Sequence, residues 1–443
     1  MTPFIIAIIL FAITYVLLFA LPRYRSYVAL CSAVIFSVWL SITPEVEFGI
    51  STVFGAIDFN VLMMIAGTMG IVSLFIESKM PMRIADVVLS KFKNVKMAIV
   101  AMAALAGIVS AFVDNVATVL MIAPIALAVC KKQNMSPVYP IIAICISSNL
   151  QGAATLVGDT TSILLGGYAD MNFFDFFWFL GRPGIFFAVE IGAALTILIL
   201  LWLFRRETQD LSLTDKTEVT DFVPSYLMIG VVGLLIAASF IPEPDGGALL
   251  TLYSLRNGII CMTLLLVGIL ANLIRTKSTA GLKLVLSEID YQTILLLASL
   301  FVVIQGITSA GVIDKLAEGI AALGAGNLFL TYTIIVFASV VISAFVDNIP
   351  YVLTMLPVVQ SVAASMGSAP YVLYFGLLIG ATLGGNITPI GASANITGIG
   401  ILRKEGYEVK AGDFMKISVP FTLTAVLAGY LIIWLCYGIV PVV

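Results

Sequence analysis

The chain has 443 residues, 61% of them hydrophobic and 11% charged, with a formal net charge of −3. Soluble domains carry about 25% charged residues, and several apolar runs here exceed the ~18 residues of a bilayer span, so the composition excludes a soluble protein and predicts a polytopic membrane protein. No histidine is present, the five cysteines form no Cys-x-x-Cys pair, and there is no basic tail; histidine chemistry, a zinc site, a disulfide framework and nucleic-acid binding all lack support.

Pro3–Leu21 and Tyr27–Ile42 read as the first two spans, with Arg23 and Arg25 between them and Glu45 and Glu47 after the second. The first run has no basic n-region and no evident cleavage site, so it reads as a retained helix. Phe59–Ile76 is the third span, opened by Asp58, and Glu77–Asn94 reads as an amphipathic interfacial helix. Val95–Cys130 is one apolar stretch broken only at Asp114-Asn115. As a single helix it would be about 54 Å long, against a hydrocarbon core of ~30 Å. A re-entrant hairpin over about 95–131 is predicted instead, its tip buried in protein or lining a wet cavity. Tyr139–Leu165 begins as a span, unwinds through Gln151-Gly152 and Gly158-Asp159, and resumes as a half-helix near Thr160. Phe173–Leu180 is an aromatic interfacial piece, and Pro183–Phe204, which contains Glu190, is the fifth span.

The polar stretch Arg205–Asp221 supplies a linker, residues 206–221, between repeats at 1–205 and 222–443. The second half has spans at Phe222–Ile241, Leu255–Ile274 and Tyr291–Ile307, the last opened by Asp290. A hairpin follows over about 327–364, carrying Asp347-Asn348. Tyr371–Ile401 is again interrupted, and Val419–Val440 is the last span.

The halves share a register. Ser110–Asn115 returns as Ser343–Asn348, and Pro124 returns as Pro357, with one numbering offset for both (343 − 110 = 357 − 124 = 233). Gly152, Thr155, Gly158 and Ile163 return at the same offset as Gly385, Thr388, Gly391 and Ile396, an internal duplication. Five spans per half is an odd number, so the repeats are expected to be inverted. The loops holding Arg23/Arg25, Lys79–Lys96, Lys131/Lys132, Arg205/Arg206, Arg275/Lys277/Lys283 and Arg403/Lys404/Lys410/Lys416 then fall on one side, opposite Glu45/Glu47, Asp170/Asp175 and Glu243/Asp245, which puts both termini outside. The expected fold is an all-α polytopic membrane protein of two inverted repeats. Each has five transmembrane helices and one re-entrant hairpin, with broken helices at the midplane, in what reads as a prokaryotic plasma membrane.

Asp114, Asp347 and Asp159 each precede a helical segment and could serve as N-caps. A carboxylate near the membrane centre costs about 2.5–3.5 kcal/mol even on lenient scales, whereas serine or asparagine would cap more cheaply; a transport role accounts for the acids. The candidate ion or substrate ligands are Asp114, Asn115, Thr118, Thr155, Asp159 and Ser162 from one half. Asp347, Asn348, Asn386, Thr388, Ser393 and Asn395 come from the other. Half-helix N-termini and unwound carbonyls would add ligands. No Lys, Arg or His lies at the centre of these four segments, so three carboxylates with no fixed cation favour Na⁺ or H⁺ and disfavour an anion arriving without cations. Possible Na⁺ ligands are Asp114, Asp159, Asp347 and Asn348. Asp159 aligns with Ala392, so only one half keeps that acid, and it is the expected proton-coupling residue, with Ser393 or Asn395 free to cap the other copy. No cofactor beyond Na⁺ or H⁺ is expected.

The hairpin phrase with Pro124, the Gly158-Asp159 break and Gly384-Gly385-Asn386-Ile387-Thr388-Pro389 resemble the ion transporter superfamily. The similarity is greatest to its branch of arsenite permeases, NhaD-type sodium–proton antiporters and the pink-eyed-dilution protein. The resemblance implies a homodimer in which a transport domain moves as an elevator against a scaffold. Where much of that branch has Gly-Asp-Pro-Pro-Asn, this chain has Gly158-Asp159-Thr160-Thr161-Ser162. A small-ion transporter (Na⁺/H⁺ antiport or arsenite/H⁺ exchange) is the expectation, with a Na⁺-coupled di- or tricarboxylate symporter as the alternative and a channel as a third. An intramembrane aspartyl protease would need Gly-x-Gly-Asp, but Leu156-Val157-Gly158-Asp159 lacks the first glycine.

Overall fold

The computed structural model describes residues 3–44, 46, 48–210 and 217–439. Glu45, Glu47, linker residues 211–216 and the predicted end of the last span at Val440 lie outside them.

The duplication is visible in the helix boundaries. Val95–Ser110 and Asn115–Lys132, the two arms of the first hairpin, recur as Leu328–Ser343 and Asn348–Ser365 at the sequence offset (328 − 95 = 348 − 115 = 233). The broken segments are Val138–Gly152 with Thr160–Tyr168 and Tyr371–Gly384 with Ser393–Lys404, and the second half-helices keep the same offset (393 − 160). Upstream the offset drifts slightly. Phe59–Glu77 recurs as Tyr291–Ser309 (291 − 59 = 232), and Arg25–Ser41 as Arg256–Thr276 (256 − 25 = 231).

The same side chains start the same helices. Asn94 accepts from Met97 N at 2.8 Å and Asn327 from Leu330 N at 3.1 Å. Asp58 accepts from Val61 N, and Asp290 from Gln292 N and Thr293 N. Each satisfies donors that the helix itself leaves unpaired. Where bilayer removes the hydrophobic drive between helices, small residues let backbones approach. A Cβ on Gly67 would stand 2.7 Å from the Cys261 backbone, and one on Gly384 2.7 Å from Val340 Cα. The packing is reciprocal between halves. Helix Arg25–Ser41 runs along Tyr291–Ser309, and Arg256–Thr276 along Phe59–Glu77.

Three features differ from the sequence reading. The fold is not purely helical, because Trp178–Phe179 pairs antiparallel with Arg182–Pro183. Phe179 of this ribbon packs edge-on against Tyr371 and Phe375, which explains an aromatic run that hydropathy alone reads as interfacial. Second, the last long helix starts at Ala411 rather than Val419. Its first turns carry Asp413 and Lys416, which pair at the surface (2.7 Å) and lower the local hydropathy without breaking the helix. Third, among the described residues eight helices are long and apolar enough to cross a membrane, or nine if the bent pair Val312–Leu323 and Leu328–Ser343 counts as one span. Ten were expected. The interrupted segments are too short as separate pieces, and Val223–Ala238 also falls short of a full span.

Candidate functional site

The polar site is built where the hairpin tips meet the broken helices. Both tips end their first arm at Ser-Ala, turn through Phe-Val, and start the second arm at Asp-Asn. Asp114 accepts from Val116 N and Ala117 N at 3.0 and 3.1 Å, and Asp347 from Ile349 N at 3.1 Å. Both acids are therefore helix caps. Asp159 differs. It precedes the half-helix Thr160–Tyr168 with extended backbone and makes no side-chain cap. Its carboxylate instead accepts from Thr161 Oγ1 at 2.7 Å, and Thr161 in turn bonds Thr382 of the other half at 2.9 Å.

The breaks are tied to the tips in the same way in both copies. Thr155 Oγ1 donates to Ala111 O, and Thr388 Oγ1 to Ala344 O. Behind each threonine a glycine lets backbone strands cross. A Cβ on Gly158 would lie 2.6 Å from Gly152 O and 2.8 Å from both Ala111 O and Ser110 O, and one on Gly391 2.6 Å from Gly385 O. Carbonyls cannot rotate away as a flexible side chain can, so Gly158→Ala is expected to lose about 1–3 kcal/mol through overpacking. The check is the thermal transition of detergent-solubilised protein, and an unchanged midpoint would show that the turn can relax.

A cavity of about 200 Å³ lies between these elements. Of the predicted residues, the structure brings Asp114, Asn115, Asp159, Asn348 and Ser393 to its wall. The others lie behind it. Asn386 Nδ2 donates to Ile146 O, Asn395 Nδ2 to Gly385 O and Thr388 O, and Ser162 Oγ to Gly152 O. Asn395 thus braces the unwound turn rather than capping the helix after Ala392. Thr118 is fully buried, and its hydroxyl has no partner among the described residues.

Sequence reasoning missed four contributors. Asn149 lines the cavity and donates to Asn386 Oδ1 (2.8 Å) and Asn395 Oδ1 (3.0 Å), joining the two broken helices through a three-amide cluster. Glu288 and Asp290 also line it, although Asp290 reads from sequence as no more than a cap at a span end. The fourth is Arg25. Its Nη1 lies 2.5 Å from Asp347 Oδ2, and it forms part of the cavity wall. The expectation of three carboxylates without a fixed cation is therefore corrected. Arg25 is far from Asp347 in sequence, and only helix packing brings it to the second tip. The balance on the wall still favours cations, with four carboxylates (Asp114, Asp159, Glu288, Asp290) and one guanidinium already paired. Among the described residues no three acidic or thiol groups converge on one metal-sized point. A bound cation would take one carboxylate together with amide, hydroxyl and carbonyl oxygens, the donor set that the hairpin and break supply.

Comparison with known proteins gives relatives along the whole chain. The 46 kDa membrane protein of Mycobacterium leprae is 30% identical over 446 residues, covering 98% of this chain and 99% of that one. An uncharacterized transporter of Mycobacterium bovis is 29% identical over 438 residues, 98% of each. The human P protein is 25% identical over 466 residues, 87% of this chain and 54% of its own length, so the chain spans about half of that protein. The crystal structure of the YdaH transporter of Alcanivorax borkumensis superposes with a TM-score of 0.59 over 98% of both chains at 14% identity, a likeness of fold. The fold is that of a polytopic membrane transporter. The family model described as citrate transporter matches residues 8–380, and the chain belongs to that family, within the ion transporter superfamily.

Proposed function

We propose that this protein is a secondary active transporter of a small ion, coupled to Na⁺ or H⁺, that works by alternating access. The observation that carries the reading is the cavity between the hairpin tips and broken helices, walled by four carboxylates against one paired arginine. Asp159 is assigned the coupling proton or Na⁺, because its carboxylate faces the cavity without serving as a helix cap. Asp114, Asp347 and Asn348 are assigned to cation binding, with Asn115 and Ser393 completing the wall. The constant register and reciprocal packing support two inverted repeats, at 1–205 and 222–443, joined by 206–221. The hairpins and broken helices would form a transport body moving as an elevator against the remaining spans. We place the protein as a homodimer in a prokaryotic plasma membrane, surrounded by lipid, with both termini outside.

A second reading follows from the family description. Citrate would enter this acidic cavity only with cations neutralising its carboxylates, since like charges in a low-dielectric site repel strongly. Proteoliposomes on a solid-supported membrane separate the readings. Jumps of Na⁺, pH or arsenite should give transport currents under the first. Under the second, currents require citrate together with Na⁺ or a divalent cation. Absence of current with every one of these would defeat both.

A further inference from the structure

The two halves do not treat their matching arginines alike. Arg25 opens helix Arg25–Ser41 and Arg256 opens Arg256–Thr276, the corresponding helix of the second half. Each stands by the acid that opens the next long helix of the opposite half. Arg25 shares a cavity wall with Asp290, and Arg256 shares another, of about 270 Å³, with Asp58. Beside the second arginine, Asn60 Oδ1 accepts from Gly258 N at 2.8 Å, tying the start of that helix to the opposite half.

The symmetry fails at the hairpin tips. Arg25 reaches Asp347 at the second tip, 2.5 Å away. The symmetric partner for Arg256 is Asp114 at the first tip, which matches Asp347 in the repeat register (347 − 114 = 233). That pair is not made. Arg256 instead donates to Tyr253 O at 2.8 Å and lies over the Tyr253 ring at 3.8 Å. Its cavity is walled by Leu156 and the far end of the first broken helix, from Gly166 to Met171, where the symmetric position on the other side holds a hairpin tip. Asp114 is left facing the cavity between the tips, and among the described residues its side chain makes only its two capping bonds.

Inverted repeats give this asymmetry a meaning. A two-fold related pair of halves in unlike conformations has a second state of the same kind, in which each half adopts the conformation of the other. We infer that Arg25 and Arg256 alternate as partners of the two hairpin tips: the Arg25–Asp347 pair belongs to the state seen here, and an Arg256–Asp114 pair replaces it in the opposite-facing state. This rests on the alternating-access reading above and names its latch. Each pair joins a hairpin to a helix that stays behind when the hairpin moves. One pair must break before the other can form, so the two end states are held and intermediate positions are not. Two end states of similar stability are what exchange of access requires. The present pair borders the cavity between the tips, with side chains 28% and 23% exposed, so water can reach both groups as it opens.

The test is cross-linking in membranes, on a chain with Cys31, Cys130, Cys145, Cys261 and Cys436 replaced by serine or alanine. Arg25→Cys with Asp347→Cys, and Arg256→Cys with Asp114→Cys, are treated separately with a short bifunctional thiol reagent. Both pairs should cross-link, and Arg256→Cys with Asp347→Cys should not. Adding Arg25→Gln to the Arg256→Cys/Asp114→Cys chain removes the competing pair and should raise its cross-linking rate about fivefold. The inference is overturned if Arg256→Cys/Asp114→Cys reacts no faster than the mismatched pair, or if Arg25→Cys/Asp347→Cys fails to react. An unchanged rate with Arg25→Gln also overturns it, since the pairs would then not compete. Cross-linking needs no substrate, so it reads out even if every transport current is absent. In that case the ion assignment fails and the exchange of pairs stands.

Discussion

Asp159→Asn is expected to leave substrate exchange running and to cut uphill accumulation sharply. The expectation comes from what the side chain does not do. Asp114 and Asp347 hold the first turns of their helices, but Asp159 caps nothing and makes its hydrogen bond to Thr161 Oγ1 instead. Asparagine can accept that bond, so the break should keep its shape. What is lost is a negative charge on the wall, and with it the group that takes up Na⁺ or H⁺. The matching position, Ala392, shows that the half-helix forms without an acid there. In proteoliposomes, counterflow with no gradient should stay within about twofold of wild type. Accumulation driven by Na⁺ or pH should fall by roughly 10- to 100-fold, the range given by losing about 1.5–3 kcal/mol of charged ligation. Wild-type accumulation would move the coupling role to Asp114 or to Glu190, which bonds Gln151 at 2.7 Å beside the first break.

The two tip aspartates should respond differently to the same change. Asp114→Asn keeps an oxygen for Val116 N and Ala117 N, so the hairpin should fold, while flux falls roughly 10- to 100-fold for lack of charge. Asp347→Asn also keeps its cap, but it strands Arg25 on the cavity wall. A lone guanidinium there repels the coupling cation, beyond any loss of ligation. Removing that charge with Arg25→Gln should recover part of the flux of Asp347→Asn and none of that of Asp114→Asn. Equal behaviour of the two acids in this cycle would mean that the Arg25 pair has no effect on ion entry. Expression and monodispersity of each variant separate a transport defect from a folding one.

Much of the fold was legible because it depends on local features. Apolar length marks spans, Asp and Asn mark helix starts, and Gly-rich polar breaks mark unwound backbone. The first hairpin arm begins at Val95 and the half-helix after the first break at Thr160, as the sequence predicts. The duplication was legible because both copies kept the same caps, threonine anchors and crossing glycines. Tertiary structure alone decided which polar groups meet. Arg25 and Asp347 belong to opposite halves, as do Asn149 and Asn386. Neither contact has a local signature, since each depends on how whole helices pack across the halves. Thr155 and Thr388 look like ligands in sequence, but their hydroxyls are committed to carbonyls at the tips. A side chain's chemistry names the bonds it can make, and three-dimensional proximity chooses among them. Sequence therefore supplied a buried, acidic, two-copy site. Packing supplied its arginine and the asymmetry between its halves.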